Sequence, residues 1–368
     1  MKRNTVISIC KAIAIIAMVI GHADCPGPIG SFIYEWHMPL FFICSGYFFS
    51  LRYLNDEGTF AKKRVKGLYL PFLKWSIFFL MIHNLMFKIG VMNERYGNIQ
   101  GGVTHPYSWH DIEQNLWNIV TSMGGFDQFL AGTFWFFRAL FVSSIAYLII
   151  YKAMDWLLRR YALPHYERWK VSIPYVICIM MLAIGAWKNL EGLRITNIVQ
   201  GGFREIMGIF FFSFGFIFRQ WSERYRVRIW TTIACFTIVA VFSKYAGAAM
   251  DWRGSWENTY RLPVPAILGF LMVFNVSSWI DRTQGFAKRF LVYCGDHTMC
   301  IFVWHILAFK LMSLVKIAYY HMDIAQVGCH MVIHDHANHD IFWILYAITG
   351  VGVPLALQWF YDSWCERR

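Results

Sequence analysis

Hydrophobic residues fall along this chain in ten runs, each close to the roughly 20 residues that a helix needs to cross the hydrocarbon core of a bilayer. The runs lie near 7–23, 36–52, 68–87, 133–153, 171–187, 204–220, 229–247, 262–280, 296–318 and 341–362. This pattern predicts an all-α, polytopic membrane protein with about ten transmembrane helices. The second and sixth runs are short and rich in Gly and Phe, which predicts tilted or partly re-entrant segments. Long polar stretches separate the runs only at 88–132, 244–261 and 319–340, so residues 1–368 read as a single integral membrane domain.

Charge placement orients the helices. Lys and Arg collect on the cytoplasmic side of membrane proteins, and here they cluster in alternate connections. Arg52 with Lys62, Lys63, Arg64 and Lys66 is one cluster; Arg159, Arg160, Arg168 and Lys170 form the next. Arg219, Arg224, Arg226 and Arg228 follow, then Arg282, Lys288 and Arg289, while the intervening connections are poorer in cations. An even number of crossings with both termini cytoplasmic follows, and the inner (cytoplasmic) membrane of the cell is the expected location.

Composition agrees. The chain is 57% hydrophobic and 15% charged, against about 25% charged in soluble domains, so it lacks the polar side chains to cover a water-exposed core. Its net charge of +12 is spread over successive connections, which marks topology and attraction to anionic lipid rather than a nucleic-acid surface. Lys11 interrupts the first run and no small-x-small cleavage site follows it, so that run reads as a retained helix and not as a signal peptide. Most of the nine cysteines sit in or beside the runs, as small apolar packers, and no CxxC spacing occurs.

Ionisable residues inside the runs are the informative exceptions, because a charge facing lipid costs several kcal/mol unless it looks into protein or a water-filled cavity. The segment "KAIAIIAMVIGHADCPGPIGSFIYEWHMPLFFICSGYFF" carries Lys11, His22, Glu35 and His37. Lys11 and His22 are separated by eleven helical steps, which leave only about 20° of rotation and about 16 Å of axial distance. Both side chains therefore project from one face and line an interior lane, Lys11 towards the cytoplasm and His22 towards the outside. The Pro- and Gly-rich turn after His22 returns the chain to the membrane, bringing Glu35 and His37 to the outer end of that lane. An imidazole there is suited to taking and returning a proton near neutral pH; the plain alternative is that each histidine only bonds a neighbouring helix.

Further along, Arg64 and Lys66 in "FAKKRVKGLYLPF" serve either as a cytoplasmic anchor or as a cradle for phosphates, and both uses are compatible. Trp135 and Arg138 in "TFWFFRALF" and His305 in "VYCGDHTMCIFVWH" lie within runs and face inward as substrate-binding candidates, Arg138 also as an oxyanion donor. Lys74, Arg204 and Glu205 raise the same question of an inward partner. His297 reads as a helix cap. The outer stretch 319–340 is rich in His and Asp, a composition that suits zinc but equally a polar loop; its spacing, including His336 and His339, matches no defined geometry. No metal is expected at the catalytic centre.

These motifs resemble the acyltransferase 3 family, in particular its fucose 4-O-acetylase-like branch. The resemblance rests on "ISICKAIAIIAMVIGHA", "WHMPLFFICSGYFF", "FAKKRVKGLYLPF", "TFWFFRALF", "FFFSFGFIFR" and "VYCGDHTMCIFVWH", which cover essentially the whole chain in the family's order. It implies a ten-helix O-acyltransferase that moves an acetyl or other short acyl group from cytoplasmic acyl-CoA to a carbohydrate hydroxyl on the outer side, as in O-acetylation of surface polysaccharide. Acyl-CoA is then the donor substrate, and no cofactor is permanently bound. The family's essential basic residue and histidine fall on Lys11 and His22, and its His-Met-Pro-Leu-Phe-Phe on His37 to Phe42. Its basic pair before the third helix falls on Arg64 and on Gly67, with Lys66 adjacent. Where the family often has Asp three residues before the basic residue, this chain has Ser8.

The mechanism these readings suggest has CoA phosphates at Arg64, Lys66 and Lys11, with His22 as general base or transient acyl acceptor. His37 or Glu35 orients it. The alternative class is a transporter or proton-coupled channel without acyl transfer, since intramembrane His, Lys and Glu also mark proton relays, although no inverted repeat is visible. A third is a membrane anchor for a glycan-export assembly, in which the intramembrane charges would be dispensable.

Overall fold

The computed structural model describes residues 4–99, 102, 104–161, 165–195, 201–251, 254–334 and 340–366. Among these no strand forms; one isolated bridge links Ile195 and Gly201. The main helices are α1 (Thr5–His22), α2 (Gly27–Tyr34), α3 (His37–Tyr47), α4 (Leu70–Lys88), α5 (Trp135–Tyr161) and α6 (Ile173–Leu190). After them come α7 (Phe203–Trp221), α8 (Ile229–Tyr245), α9 (Pro263–Arg282), α10 (Phe286–Asp296), α11 (Thr298–Tyr320) and α12 (Phe342–Glu366).

Each of the ten hydrophobic runs contains a helix. Among the described residues seven helices are long and apolar enough to cross a membrane: Thr5–His22, Glu57–Lys88, Trp135–Tyr161, Ile173–Leu190, Trp256–Arg282, Thr298–Tyr320 and Phe342–Cys365. The run expected at 36–52 folds only as the 11 residues of α3, about 16 Å of helix against a core of about 30 Å. Helix α8 has 17 residues, and α7 carries Arg204, Glu205 and Arg219.

The chain forms two compact units, one from Met1–Ile33, Phe72–Trp135 and Ile280–Arg368, the other from Tyr34–Pro71 and Phe136–Trp279. In the first unit α1 starts on an Asn4 cap whose side chain accepts from the Ile7 amide, and it packs on α10, α12 and α11. Gly295 of α10 lies so close to the Ser8 carbonyl that a Cβ would overlap it. Trp304 of α11 rests edge-on against Trp75 and Phe78 of α4. Two buried lysines of α11 clamp the connection to α12. Lys310 Nζ donates to the Val327 carbonyl at 3.0 Å and also to that of Cys329. Lys316 Nζ donates to the Ile333 carbonyl at 3.1 Å and pairs with Asp340 at 2.9 Å. A buried cation is tolerated when its donors are satisfied in this way.

The same unit fixes its 104–127 segment through His83 of α4, whose Nδ1 is 2.6 Å from Asp127 and Nε2 2.8 Å from the His105 carbonyl. In the 319–340 stretch, His336 and His339 lie outside the described residues. His334 pairs with Asp24 at 3.0 Å, and among the described residues no three His, Cys, Asp or Glu side chains cluster as metal ligands.

The second unit is organised on α3 and α7, which run in the same direction. Phe42 meets Gly208 towards one end, and the Phe49 carbonyl accepts from Arg219 Nη1 at 2.9 Å towards the other. Between these points the helices almost touch. A Cβ on Gly46 would fall 1.9 Å from the Phe212 carbonyl oxygen, and one on Gly215 2.0 Å from that of Ile43. Small residues permit this approach in membrane helices, where van der Waals packing replaces much of the hydrophobic driving force. Because both obstructing atoms are backbone, no rotamer change relieves the overlap. Gly215→Ala should therefore destabilise the protein by about 3 kcal/mol, the upper end of the usual overpacking range, whereas Gly67→Ala, which meets nothing within 4 Å, should not. Thermal unfolding of the two purified variants in detergent checks this contrast.

Candidate functional site

His22 is the last residue of α1, where the apolar run ends ahead of Pro26 and Pro28. Its Nδ1 lies 3.1 Å from Nε2 of His305 on α11, with the rings 19° from coplanar and their centroids 5.3 Å apart. His305 is fully buried, and its own Nδ1 is 3.1 Å from the Ile301 carbonyl and 3.0 Å from that of Phe302. Carbonyl oxygens only accept. A neutral His305 must therefore carry its proton on Nδ1, leaving Nε2 as an acceptor. His22 then donates from Nδ1, and its basic lone pair is on Nε2. This is the arrangement by which a buried acceptor fixes the tautomer of a general base, with one imidazole in the place a carboxylate takes in a Ser-His-Asp triad.

Lys11 shares the His22 face of α1, and both residues are half-buried. One turn earlier, Ser8 Oγ donates to Asp296 Oδ1 at 2.9 Å. The carboxylate that the family resemblance places at position 8 is thus present beside this turn, but it comes from the end of α10. His297, between α10 and α11, donates from Nδ1 to the Tyr293 carbonyl at 2.9 Å and faces Asp362 at 3.4 Å, as a cap would. Next to it is a cavity of about 490 Å³ lined by Lys74, Trp75, Asp296, His297, Trp304, Gln358 and Tyr361 among others. It brings an ammonium, a carboxylate and aromatic faces to the end of the unit at which α11 begins.

Glu35, His37, Arg64, Lys66 and Arg138 belong to the second unit, while Lys11, His22, Trp135 and His305 belong to the first. His305, which the sequence offers as a substrate-binding candidate, meets His22 Nδ1. Trp135 is half-buried at the start of α5. Glu35 and His37 flank Trp36 in the turn between α2 and α3, and Trp36 packs on Gly269 of α9. His37 is buried under the edge of Tyr34. Arg64 is held inside its unit: Nη1 donates to Ser45 Oγ at 3.0 Å and the guanidinium covers Phe60 and Phe212. Lys66 is exposed on a π-helical turn, Val65–Tyr69, that precedes α4; such turns recur at functional sites. Arg138 is buried 3.8 Å from Glu205.

The acyltransferase 3 family model, an acyltransferase domain, matches residues 4–360. The chain belongs to the acyltransferase 3 family. No curated protein and no solved structure matches it. Membership makes this helical membrane protein an acyltransferase, and it sets aside the transporter and anchor readings of its intramembrane charges. Asp296, which bonds Ser8 and lines the cavity beside His297, is a candidate that sequence reasoning passed over. Its signal was the unexplained Ser8, a hydroxyl where a family member often has a carboxylate.

Glu35 differs from the other charged groups of the site. It is completely buried in a turn near the Ala248 backbone, and neither oxygen has a regular hydrogen bond among the described residues. Burial pushes its carboxyl from 4.5 up to about 7. Between those values the folded protein holds a proton that the unfolded chain has released, so stability is full below pH 4.5 and falls as pH rises to about 7. Relative to Glu35→Gln, which has no such titration, wild type should lose about 3 kcal/mol over that window. Unfolding of both proteins against pH measures the difference; parallel curves would remove the buried-carboxyl assignment.

Proposed function

We propose that this protein moves an acetyl or other short acyl group from cytoplasmic acyl-CoA to a hydroxyl of a carbohydrate on the outer side of the cell's inner membrane. The acceptor belongs to surface polysaccharide, as the fucose 4-O-acetylase-like motifs suggest. The observation that carries the chemistry is the pairing of His22 Nδ1 with His305 Nε2, with His305 Nδ1 committed to two carbonyls. Family membership supports acyl transfer, and the alternation of basic connections supports the direction.

His22 Nε2 takes the proton of the acceptor hydroxyl as its oxygen attacks the thioester carbonyl carbon. The tetrahedral oxyanion collapses, the carbon–sulfur bond breaks, and the CoA sulfur leaves with the proton that His22 returns. Each proton taken is given back, so no metal or redox partner is required by the balance. His305 keeps His22 in the reactive tautomer and bears part of the positive charge that develops on it. The cavity at Lys74, Asp296 and His297 suits the arm of the donor, with Trp75 and Tyr361 as stacking faces. Arg64 and Lys66 belong to a basic connection and suit phosphates by their charge.

A positioned general base contributes typically 10²–10⁴-fold. His22→Ala should lose about that factor in acyl transfer from labelled acetyl-CoA to glycan in reconstituted membranes, with the protein still inserted. His305→Ala should fall by about 10²-fold, and His305→Gln by less, because an amide oxygen still accepts from His22 Nδ1. Undiminished transfer in His22→Ala would end this assignment. Equal losses in the two His305 variants would remove the role given to the acceptor lone pair.

A further inference from the structure

Buried charge in the second unit is out of balance at one end. Arg138 near the start of α5, Arg204 and Glu205 at the start of α7, and Lys188 near the end of α6 act on one another. Glu205 feels Arg138, Arg204 and Lys188, and Arg204 also feels Asp251. Arg138, Lys188 and Glu205 are each more than nine-tenths buried. Arg204 is half-buried and Asp251 exposed. Three cations therefore share a single buried carboxylate.

Two of these cations, and two lysines elsewhere, show how this protein ordinarily settles such charge. Lys188 donates to Asn189 Oδ1 at 2.9 Å, and Arg204 Nε to the Met250 carbonyl at 3.2 Å. Lys310 and Lys316 are satisfied by loop carbonyls. Arg138 is different. Its Nε is 3.8 Å from Glu205 Oε1, beyond hydrogen-bond reach, and neither that Nε nor Glu205 Oε2 has a hydrogen-bond partner among the described residues. A buried guanidinium N–H left without such a bond is costly, and buried groups left unsatisfied in this way call for a ligand or another specific cause. The guanidinium fork matches the paired oxygens of a carboxylate or phosphate, and the surrounding charge has room for one more negative group.

We propose that Arg138, backed by Arg204 and Lys188, binds an oxyanion: a carboxylate or phosphate carried by the acyl acceptor. The oxyanion site stands on this cluster alone, whereas its assignment to the acceptor rests on the acyl-transfer reading above. An acidic sugar or a phosphorylated carrier would then be held through its charge, and a neutral sugar would lack the group that the cluster selects. Glu205 balances part of the cationic excess and competes with the incoming anion.

The test is thermal unfolding of the purified full chain in detergent, at matched ionic strength, with inorganic phosphate, glucuronate or glucose. Phosphate or glucuronate should raise the Tm of wild type and glucose should not. A response to glucuronate alone identifies an acidic sugar, and a response to phosphate alone a phosphorylated group. Arg138→Gln should abolish the shift, and Glu205→Gln, by removing the competing carboxylate, should bind the same anion at least tenfold more tightly. If Arg138→Gln does not fold, Lys188→Gln and Glu205→Gln decide, through weaker and tighter binding respectively. No shift with either anion in wild type, or an unchanged shift in the Arg138 variant, overturns the site. His22→Ala should keep the anion response while losing turnover. Retained turnover there would sink the acyl-transfer reading and leave the anion site standing.

Discussion

Two backbone carbonyls, those of Ile301 and Phe302, constrain the imidazole pair on which the proposed chemistry rests. Both face Nδ1 of His305, and a carbonyl offers nothing but lone pairs. The proton on His305 is thereby placed, and with it the direction of the 3.1 Å contact to His22. A helix supplies these acceptors without any further side chain, because the carbonyls three and four residues back lie beside the imidazole. The cost is that the pair depends on α1 and α11 keeping their register. The overlap-limited contact of Gly295 with the Ser8 carbonyl and the packing of Gly350 on Val19 and Phe309 hold the helices that flank it.

Charge inside this membrane protein is handled in three ways, and the contrast separates structure from function. Lys310 and Lys316 spend their protons on carbonyls of the connection to α12 and act as clamps. Arg64 donates to Ser45 and lies over two phenyl rings, a cation fixed by hydrogen bond and quadrupole together. Arg138 Nε and the Glu35 carboxyl oxygens are buried without a hydrogen-bond partner among the described residues. Burial of this kind is tolerated where a ligand or a proton completes the group, which is why the proposed anion site and the pH response are sought at these two and not at the lysines.

The helices were legible because a bilayer demands long apolar segments, and each of the ten runs contains one. The shortness of the second run was legible in its Gly and Phe content; where its helix stops was not, since the residues up to Phe49 are as apolar as those before them, and α3 ends at Tyr47 ahead of the turn Leu51–Leu54. The shared face of Lys11 and His22 followed from helical rotation alone. The partner of His22 did not, because nothing in local spacing links residue 22 to residue 305. A helix from the far end of the chain supplies the contact. Asp296 escaped for the same reason: a carboxylate moved from α1 to α10 leaves no periodic trace, only a serine at position 8.

The placement of protons on the two imidazoles is the claim on which the rest depends, and ¹⁵N solid-state NMR of histidine-labelled protein in lipid reads it directly. With His22→Gln and His305→Gln used for assignment, near neutral pH both residues should be protonated at Nδ1, and His22 Nε2 should give the signal of an unprotonated, basic nitrogen. A proton found on His22 Nε2 in the neutral ring, with Nδ1 bare, would contradict the account.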